Sequence, residues 1–187
     1  MTAQPISANE SAVRAAVARL ARVPPAAYQV VSCYLKLEPR DKTRGKYLIK
    51  IKNRIREALA ALQRQDLERT LRAQVAADLE GVQGYFGEPT RLPPARGIAL
   101  FACAALDLFE VLPLPHVHRS RLAVAPVPLV RELVALEEEF GTILVAACDR
   151  TSARFFEVTA YDVVELPSLT AEATRPGKFH GERQAKR

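Results

Sequence analysis

Basic side chains recur along one short stretch of the chain, residues 40–56. Eight of these residues are Lys or Arg and only Asp41 is acidic, so the stretch carries a net charge of +7, against +6 for the whole 187-residue chain. Ammonium and guanidinium groups at this density are typical of surfaces that contact nucleic-acid phosphates. The cations that we predict to make such contacts are Lys42, Arg44, Lys46, Lys50, Lys52, Arg54 and Arg56. The alternative interpretation is a solvated helix face without a ligand.

A second basic segment covers residues 175–187, with five basic residues against Glu182, a net charge of +4. Lys178 and Arg183 in this segment are further candidates for contact with phosphate. Because the two segments together hold more positive charge than the whole chain, the remaining residues are acidic on balance. The sequence therefore predicts two basic patches on a mildly acidic body.

Few other residues have the types and spacing that chemistry requires. His116 and His118 would share one face of a strand, which suits a metal, but no third ligand lies nearby and a polar loop pair is favoured. Asp107 and Glu110 form a carboxylate pair that is more typical of solvated loop acids than of catalysis. The sequence contains no Gly-rich phosphate loop and no Ser or Cys with a nearby His at motif spacing, so we predict no cofactor.

The composition is that of a globular protein, with 49% hydrophobic and 26% charged residues. No apolar run approaches the 18 residues that a membrane span requires, and residues 1–9 lack the pattern of a secretory signal. Cys33, Cys103 and Cys148 each lie in an apolar run, which is typical of buried thiols in a reducing compartment. We therefore expect a cytoplasmic protein that does not enter a membrane.

Hydrophobic periodicity places the basic stretch mainly on a helix. Within residues 46–63, apolar residues recur every three or four positions and form one stripe, as in an amphipathic helix. The members of this stripe are Leu48, Ile51, Ile55, Leu59 and Leu62. Further helices are predicted from residue 9 or 11 to 22, over 66–83 and over 129–140, with residues 40–45 as a charged loop.

The strand prediction centres on residues 97–115. Residues 98–103 form an unbroken apolar run between breakers, which favours a strand buried on both faces. Residues 108–114 read as a second strand, and Pro113 places it at or near a sheet edge. With strands over 28–37 and 121–126, residues 1–140 are predicted to form an α/β domain, a mixed sheet flanked by helices.

After residue 141 the pattern changes to short strands, predicted over 142–148, 153–159 and 162–166. Three strands without helices do not close an independent core. We therefore expect residues 141–170 to be part of a second domain, followed by a basic flexible tail over 171–187.

Several stretches together resemble bacterial proteins related to the archaeal and eukaryotic class I peptide-chain release factors. They are residues 31–35 (VSCYL), 52–59 (KNRIREAL), 97–103 (GIALFAC), 109–115 (FEVLPLP) and 149–158 (DRTSARFFEV). The resemblance covers residues 28–166 in order. It implies an α/β first domain that enters the ribosomal decoding region and a second domain with a ribonuclease-H-like fold.

In that family the second domain carries a Gly-Gly-Gln loop that positions water against the peptidyl-tRNA ester, so the reaction is acyl transfer to water. This chain contains no Gly-Gly dipeptide, and residues 181–184 (GERQ) match the loop poorly, which leaves Gln184 as a weak catalytic candidate. The family's stop-codon-reading motifs and its third domain, which binds a partner GTPase, are not found either.

The resemblance implies a release-factor-like protein that associates with the ribosome or tRNA in translation termination or ribosome rescue, without hydrolysing peptidyl-tRNA. Two alternatives stay open at this point. The chain is a protein-interaction module that pairs through exposed strands, or it is a peptidyl-tRNA hydrolase completed by a missing part.

Overall fold

The computed structural model describes residues 10–170 of the chain, which contain five α-helices and seven β-strands. The helices are α1 (Glu10–Leu20), α2 (Pro39–Thr43), α3 (Lys46–Arg64), α4 (Arg69–Gly87) and α5 (Arg131–Phe140). The strands are β1 (Val30–Lys36), β2 (Gly97–Cys103), β3 (Leu108–Leu114), β4 (Arg121–Ala125), β5 (Ile143–Cys148), β6 (Ser152–Val158) and β7 (Val163–Thr170). None of these helices combines the length and the apolar content that crossing a bilayer requires.

The chain divides into two compact units. The first comprises Met1–Gly141 with Ala160–Asp162, and the second comprises Thr142–Thr159 with Val163–Arg187. The α/β class with helices flanking a sheet, followed by a separate β segment, is confirmed. The basic tail predicted over residues 171–187 lies outside the described residues, so its character stays a prediction.

The first unit is built on a four-stranded sheet with strand order β3-β2-β1-β4. All three pairings are antiparallel, with Ser32 opposite Phe101 and Cys33 opposite Leu122. The prediction of a mixed sheet, with both parallel and antiparallel pairs, was therefore wrong in this detail. A parallel pair requires a crossover connection, and here the helices α3 and α4 instead return the chain from β1 to an antiparallel β2. As predicted, β2 is buried along its whole length and β3, which contains Pro113, is an edge strand.

Helices cover both faces of this sheet. On one face, α3 and α4 pack against alternate residues of the central strands, such as Val31, Leu35 and Leu100. On the other face, α1 and α5 pack against the intervening residues, such as Tyr34 and Phe101. The Tyr34 and Phe101 rings meet edge to face, with centroids 6.0 Å apart. The unbroken apolar run in β2 is explained because both of its faces are core.

The position of α5 is fixed by two polar side chains of β1. The Ser32 hydroxyl accepts a hydrogen bond from the Leu129 amide at 3.0 Å, and the Tyr34 hydroxyl donates to the Leu129 carbonyl. Ser32 is buried, and its pairing with the Leu129 backbone satisfies a polar group inside the core. These contacts set where α5 begins along the sheet.

Two helix predictions were wrong in their bounds. Residues 40–45 were predicted as a loop, but Pro39–Thr43 is the short helix α2, which Pro39 can begin because a first-turn residue needs no amide partner. Helix α4 was predicted to end near residue 83, yet it continues through Gly81 and Gly84. Burial of Val82 and Phe86 offsets the cost of about 1 kcal/mol for each interior glycine.

The second unit contains an antiparallel sheet of order β5-β6-β7. Its third strand was predicted to stop at Pro167, but β7 runs through to Thr170. Because β7 is an edge strand and the pairing register shifts near this position, the proline removes no essential ladder bond. Every residue of β5 is exposed, including Cys148, which was expected to be buried.

Candidate nucleic-acid interface

Helix α3 presents the predicted cations because its apolar stripe fixes which side faces the core. Tyr47, Ile51, Ile55 and Leu62 are buried against the sheet and α4, which leaves the intervening positions to solvent. Of the predicted cations, α3 exposes Lys46, Lys50, Lys52 and Arg56. Arg54 is half-buried at the border of the apolar stripe.

A tight turn joins α2 to α3 and brings an acid into this group of cations. Gly45, between the two helices, has a φ of 62°, a left-handed conformation that favours glycine. The turn places the Asp41 carboxylate against the Lys50 amine in an ion pair. The hydrogen bond from Lys50, followed by the charges of Lys50 and Lys46, lowers the pKa of Asp41. Asp41 is therefore a counter-ion within the basic surface.

The predicted cations differ in how far they are already engaged. Lys42 Nζ donates to the Pro93 carbonyl at 3.2 Å, and Arg54 Nη1 pairs with Glu57 Oε2 at 2.9 Å. An exposed ion pair such as Arg54–Glu57 contributes roughly 0.2–1 kcal/mol to stability. A phosphate can therefore replace the Glu57 carboxylate. Within residues 10–170, the cations of this stretch without an ion pair are Arg40, Lys42, Arg44, Lys46, Lys52 and Arg56.

The β3–β4 loop brings a further cation beside α3. A concavity of about 310 Å³ lies between Lys50 and Arg54 of α3 and Arg119 and Ser120 of the loop. The Ser120 hydroxyl accepts a hydrogen bond from the Lys36 amide at 3.0 Å, which anchors the loop to β1. Three cations therefore surround one small concavity, and Glu57 is the acid that lines it with them.

This arrangement suits a phosphate. Arginine offers a planar fork of donors that matches phosphate oxygens, and lysine adds a mobile point charge. Arg119 is exposed and makes no ion pair within the described residues, so its guanidinium is available to a ligand. Lys46, one helical turn before Lys50, extends the positive surface along α3, which fits a polyanion longer than one phosphate. Lys52 lies on the other flank of α3, in a concavity beside α4.

The two histidines lie in the same loop, at a larger cleft of about 710 Å³ that adjoins this concavity. Their rings meet edge to face with centroids 4.6 Å apart, and His118 Nε2 lies 2.7 Å from Glu139 Oε2. Across residues 10–170 there is no group of three or more His, Cys, Asp or Glu side chains placed to share a metal ion. Asp107 and Glu110 serve the fold instead, because Asp107 turns the chain at a φ of 48° and Glu110 pairs with Arg19.

Reasoning from the sequence missed Arg119. The signal was available, because residues 116–121 contain two histidines and two arginines without an acid. The two histidines were considered as metal ligands or as a polar loop pair, and the arginines were not considered. Arg119 lies 65 positions after Arg54, so the sequence did not indicate that the two converge. Lys178, Arg183 and Gln184, the other predicted site residues, lie outside the described residues.

Comparison with known proteins adds information on the fold. No protein-family profile matches the sequence, and no curated protein matches it. Among solved structures, one described as an archaeal protein superposes with a TM-score of 0.52 at 16% identity, covering 87% of this chain and 45% of that one. The crystal structure of an archaeal translation termination factor, aRF1, superposes with a TM-score of 0.50 at 15% identity, covering 87% of this chain and 44% of that one.

These structures show a shared fold, and the identities are too low to show more. The chain spans less than half the length of either solved protein. The superposition includes an archaeal release factor, so the fold that the sequence resemblance implied is confirmed to that extent.

Proposed function

We propose that this chain is a release-factor-like protein that binds RNA through α3 and the β3–β4 loop, and that it associates with the ribosome or tRNA in translation termination or ribosome rescue. The observation that carries the proposal is the convergence of Lys50, Arg54 and Arg119 around one concavity beside the exposed cations of α3. The fold adds support, because a protein of similar fold is a translation termination factor.

The proposal places this chain outside peptide release. Hydrolysis of peptidyl-tRNA requires a water held against the ester carbonyl and donors for the developing oxyanion. Glycines let such a loop approach closely, and in this sequence Glu182 and Arg183 precede Gln184 instead. We expect no peptide release from ribosomal complexes by this chain and no change with Gln184→Ala. Release above background that Gln184→Ala abolishes would make residues 181–184 a catalytic loop.

The RNA-binding part of the proposal is tested by the salt dependence of affinity for deacylated tRNA. If about five cations meet phosphates, log K should fall against log salt with a slope of roughly −3 to −5. Charge reversal of Lys46, Lys50 and Arg54 to Glu should flatten this slope to about −1 to −2, because roughly three phosphate contacts are lost. Fluorescence anisotropy between low and physiological salt measures both slopes.

A matched control separates a local interface from net charge. Reversal of Arg69, Arg91 and Arg96, which are exposed on other parts of the first unit, changes the net charge by the same amount. This variant should keep the steep slope, since the control residues lie outside the concavity. Arg119→Glu alone should weaken binding, although its residue lies far from α3 in sequence. Equal loss in the test and control triples would discard the assignment of the interface.

A second candidate function is a protein-interaction module built on the second unit. The specific observation is that β5 exposes Ile143, Leu144 and Val145, with 57%, 65% and 43% of their surfaces accessible. Apolar strands in this state are typical of surfaces that pair with another segment. Sedimentation velocity of the full chain, with and without Leu144→Lys, tests self-pairing. A concentration-dependent dimer that Leu144→Lys abolishes would support self-pairing through β5. A monomer at all concentrations would exclude self-pairing.

A further inference from the structure

Strand β4 forms the second edge of the four-stranded sheet and has an open side. It pairs with β1 and with no other strand among residues 10–170. Beyond that ladder, the backbone of Arg121–Ala125 makes no hydrogen bond to any described residue. An edge of this kind presents N–H and C=O groups that can receive another strand.

A cleft lies along the beginning of this edge, between helices of the two sheet faces. The volume of about 710 Å³ is bounded by α3 on one side and α5 on the other, with the β3–β4 loop at its end. Alanines line both helices at the opening, namely Ala58 and Ala61 on α3 and Ala135 on α5. Because these side chains are short, they leave space beside β4, where an added strand would lie about 4.8 Å away.

The charges of the cleft leave one cation without a counter-ion. Both acids that line it are paired, Glu57 with Arg54 at 2.9 Å and Glu132 with Arg121 at 3.1 Å. Arg119 lines the same cleft, is exposed and makes no ion pair within the described residues. The uncompensated charge of the cleft is therefore positive, which favours a ligand that carries a carboxylate.

The cleft also has an apolar part. Leu114, Val117 and Leu136 line it together and belong to the core cluster beneath α5. An apolar side chain placed against them would lose contact with water, at a gain of about 25 cal/mol for each Å² buried. In strand addition, the backbone ladder supplies affinity and such pockets for alternate side chains supply specificity.

We propose that the cleft beside β4 binds an extended acidic segment of a partner protein, which adds to the sheet as a fifth strand. A carboxylate of the segment pairs with Arg119, and an apolar side chain packs against Leu114, Val117 and Leu136. A peptide fits better than RNA because the open edge offers a backbone ladder, which only another peptide backbone can join. This site adjoins the proposed RNA contact, and Arg54, Glu57, Arg119 and Ser120 line both concavities. The apolar part of the cleft and the edge of β4 belong to the peptide site alone.

The test uses the full 187-residue chain and a phage-displayed library of random 12-residue peptides. Enriched peptides should contain Asp or Glu with alternating apolar residues, and their synthetic forms should bind in solution. Ala61→Trp and Ala135→Trp each fill the cleft from an exposed position, and each should weaken Kd by at least about tenfold. Arg119→Glu should weaken Kd by about tenfold as well.

Two controls make the test specific. Ala73→Trp and Arg69→Glu change exposed residues of α4 outside the cleft, and they should alter Kd less than about twofold. Methylation of alternate backbone nitrogens on one edge of the peptide should abolish binding, because it removes the donors of the ladder. Circular dichroism confirms that each variant is folded, and the two tryptophan variants approach the cleft from different helices.

Three results would overturn the proposal. The library gives no enriched acidic peptide, or enriched peptides keep their affinity for both tryptophan variants, or N-methylated peptides bind as well as their parents. A fourth result would assign the cleft to RNA. If Ala135→Trp weakens tRNA binding, and if tRNA displaces the peptides from the wild-type chain, the cleft is an RNA site. The peptide proposal then fails.

Discussion

Strands β2 and β5 contain similar apolar segments and have opposite environments. Residues 98–103 (IALFAC) and 143–148 (ILVAAC) share the isoleucine, one alanine and the final cysteine. Every residue of β2 is buried, whereas every residue of β5 is exposed. The apolar composition favours a strand in both places, and it does not decide whether that strand is covered.

The difference comes from neighbours. Strand β2 lies between β3 and β1, and helices pack on both faces of their sheet. Among the described residues, β5 pairs with β6 alone, and those of the second unit include no helix. The comparison teaches that burial in this protein depends on the helices supplied by the rest of the chain. Matched substitutions in the two strands test that statement.

The largest expected effect is on stability, from the same substitution at equivalent positions. Ile98→Ala should lower the free energy of unfolding by about 2–5 kcal/mol, because it removes buried methylene groups and leaves a cavity. Ile143→Ala, at a side chain that is 57% exposed, should change it by less than about 0.5 kcal/mol. Urea titration followed by circular dichroism measures both. Equal losses would mean that β5 is covered as β2 is.

Cys103 and Cys148, the last residues of β2 and β5, should differ in thiol reactivity by more than about a hundredfold. The reason is that a buried thiol reacts only through rare opening of the core. Cys103 is buried and burial raises its pKa, whereas Cys148 is exposed. Cys33, in β1, is also buried, and burial raises its pKa to about 12. Labelling of the native protein with a disulfide reagent, read by mass spectrometry, should modify Cys148 first. Rapid modification of Cys103 would break the comparison.

A side chain at Gly97, the residue before Ile98 in β2, should destabilise the protein. Thr142, the corresponding residue before Ile143, already carries a side chain. A Cβ at Gly97 would lie 2.4 Å from Val117 Cγ2, so Gly97→Ala should destabilise the protein by about 1–3 kcal/mol. Thr142→Ala at an exposed position should cost less than about 0.5 kcal/mol. Adding Val117→Ala to Gly97→Ala should recover part of the loss by removing the clash. Simple additivity of the two costs would argue against that contact.

The smallest expected effect concerns the acids beside the two strands. Asp149, after β5, accepts hydrogen bonds from the Thr151 and Ser152 amides at 2.7 Å, which lower its pKa to about 2. Asp78 accepts one from the Ala104 amide after β2, but burial raises its pKa above the usual value. Asp149 therefore contributes stability at neutral pH that is lost as pH falls below about 4 and towards 2. Asp78 has the opposite sign, because its contribution is lost as pH rises through its raised pKa.

Carboxyl chemical shifts in an NMR titration measure both values. Asp149 should titrate well below Asp78. Asp149→Asn should lower the free energy of unfolding at neutral pH and remove the part of its fall between about pH 4 and 2 that Asp149 causes. An Asp149 that titrates in the ordinary range would show that its turn is not held as described.

Much of the fold could be predicted from the sequence. The stripe of α3 and the apolar run of β2 are local patterns, and both elements were placed to within one residue at each end. The errors fell where tertiary packing outweighs local signals. Gly81 and Gly84 lie inside α4 because Phe86 is buried further on, and Pro167 is accepted because β7 is an edge.

Only part of the candidate interface could be predicted from the sequence. The sequence by itself determined the density of cations at residues 40–56 and the helix that carries most of them. Both are local features, because net charge and hydrophobic periodicity depend on residues that are close together in the chain. Only the tertiary structure brought Arg119 beside Lys50 and Arg54, left β4 with an open edge, and buried β2 while exposing β5. Those outcomes depend on which distant segments meet across the sheet, and contacts between distant segments leave no local pattern in a single sequence.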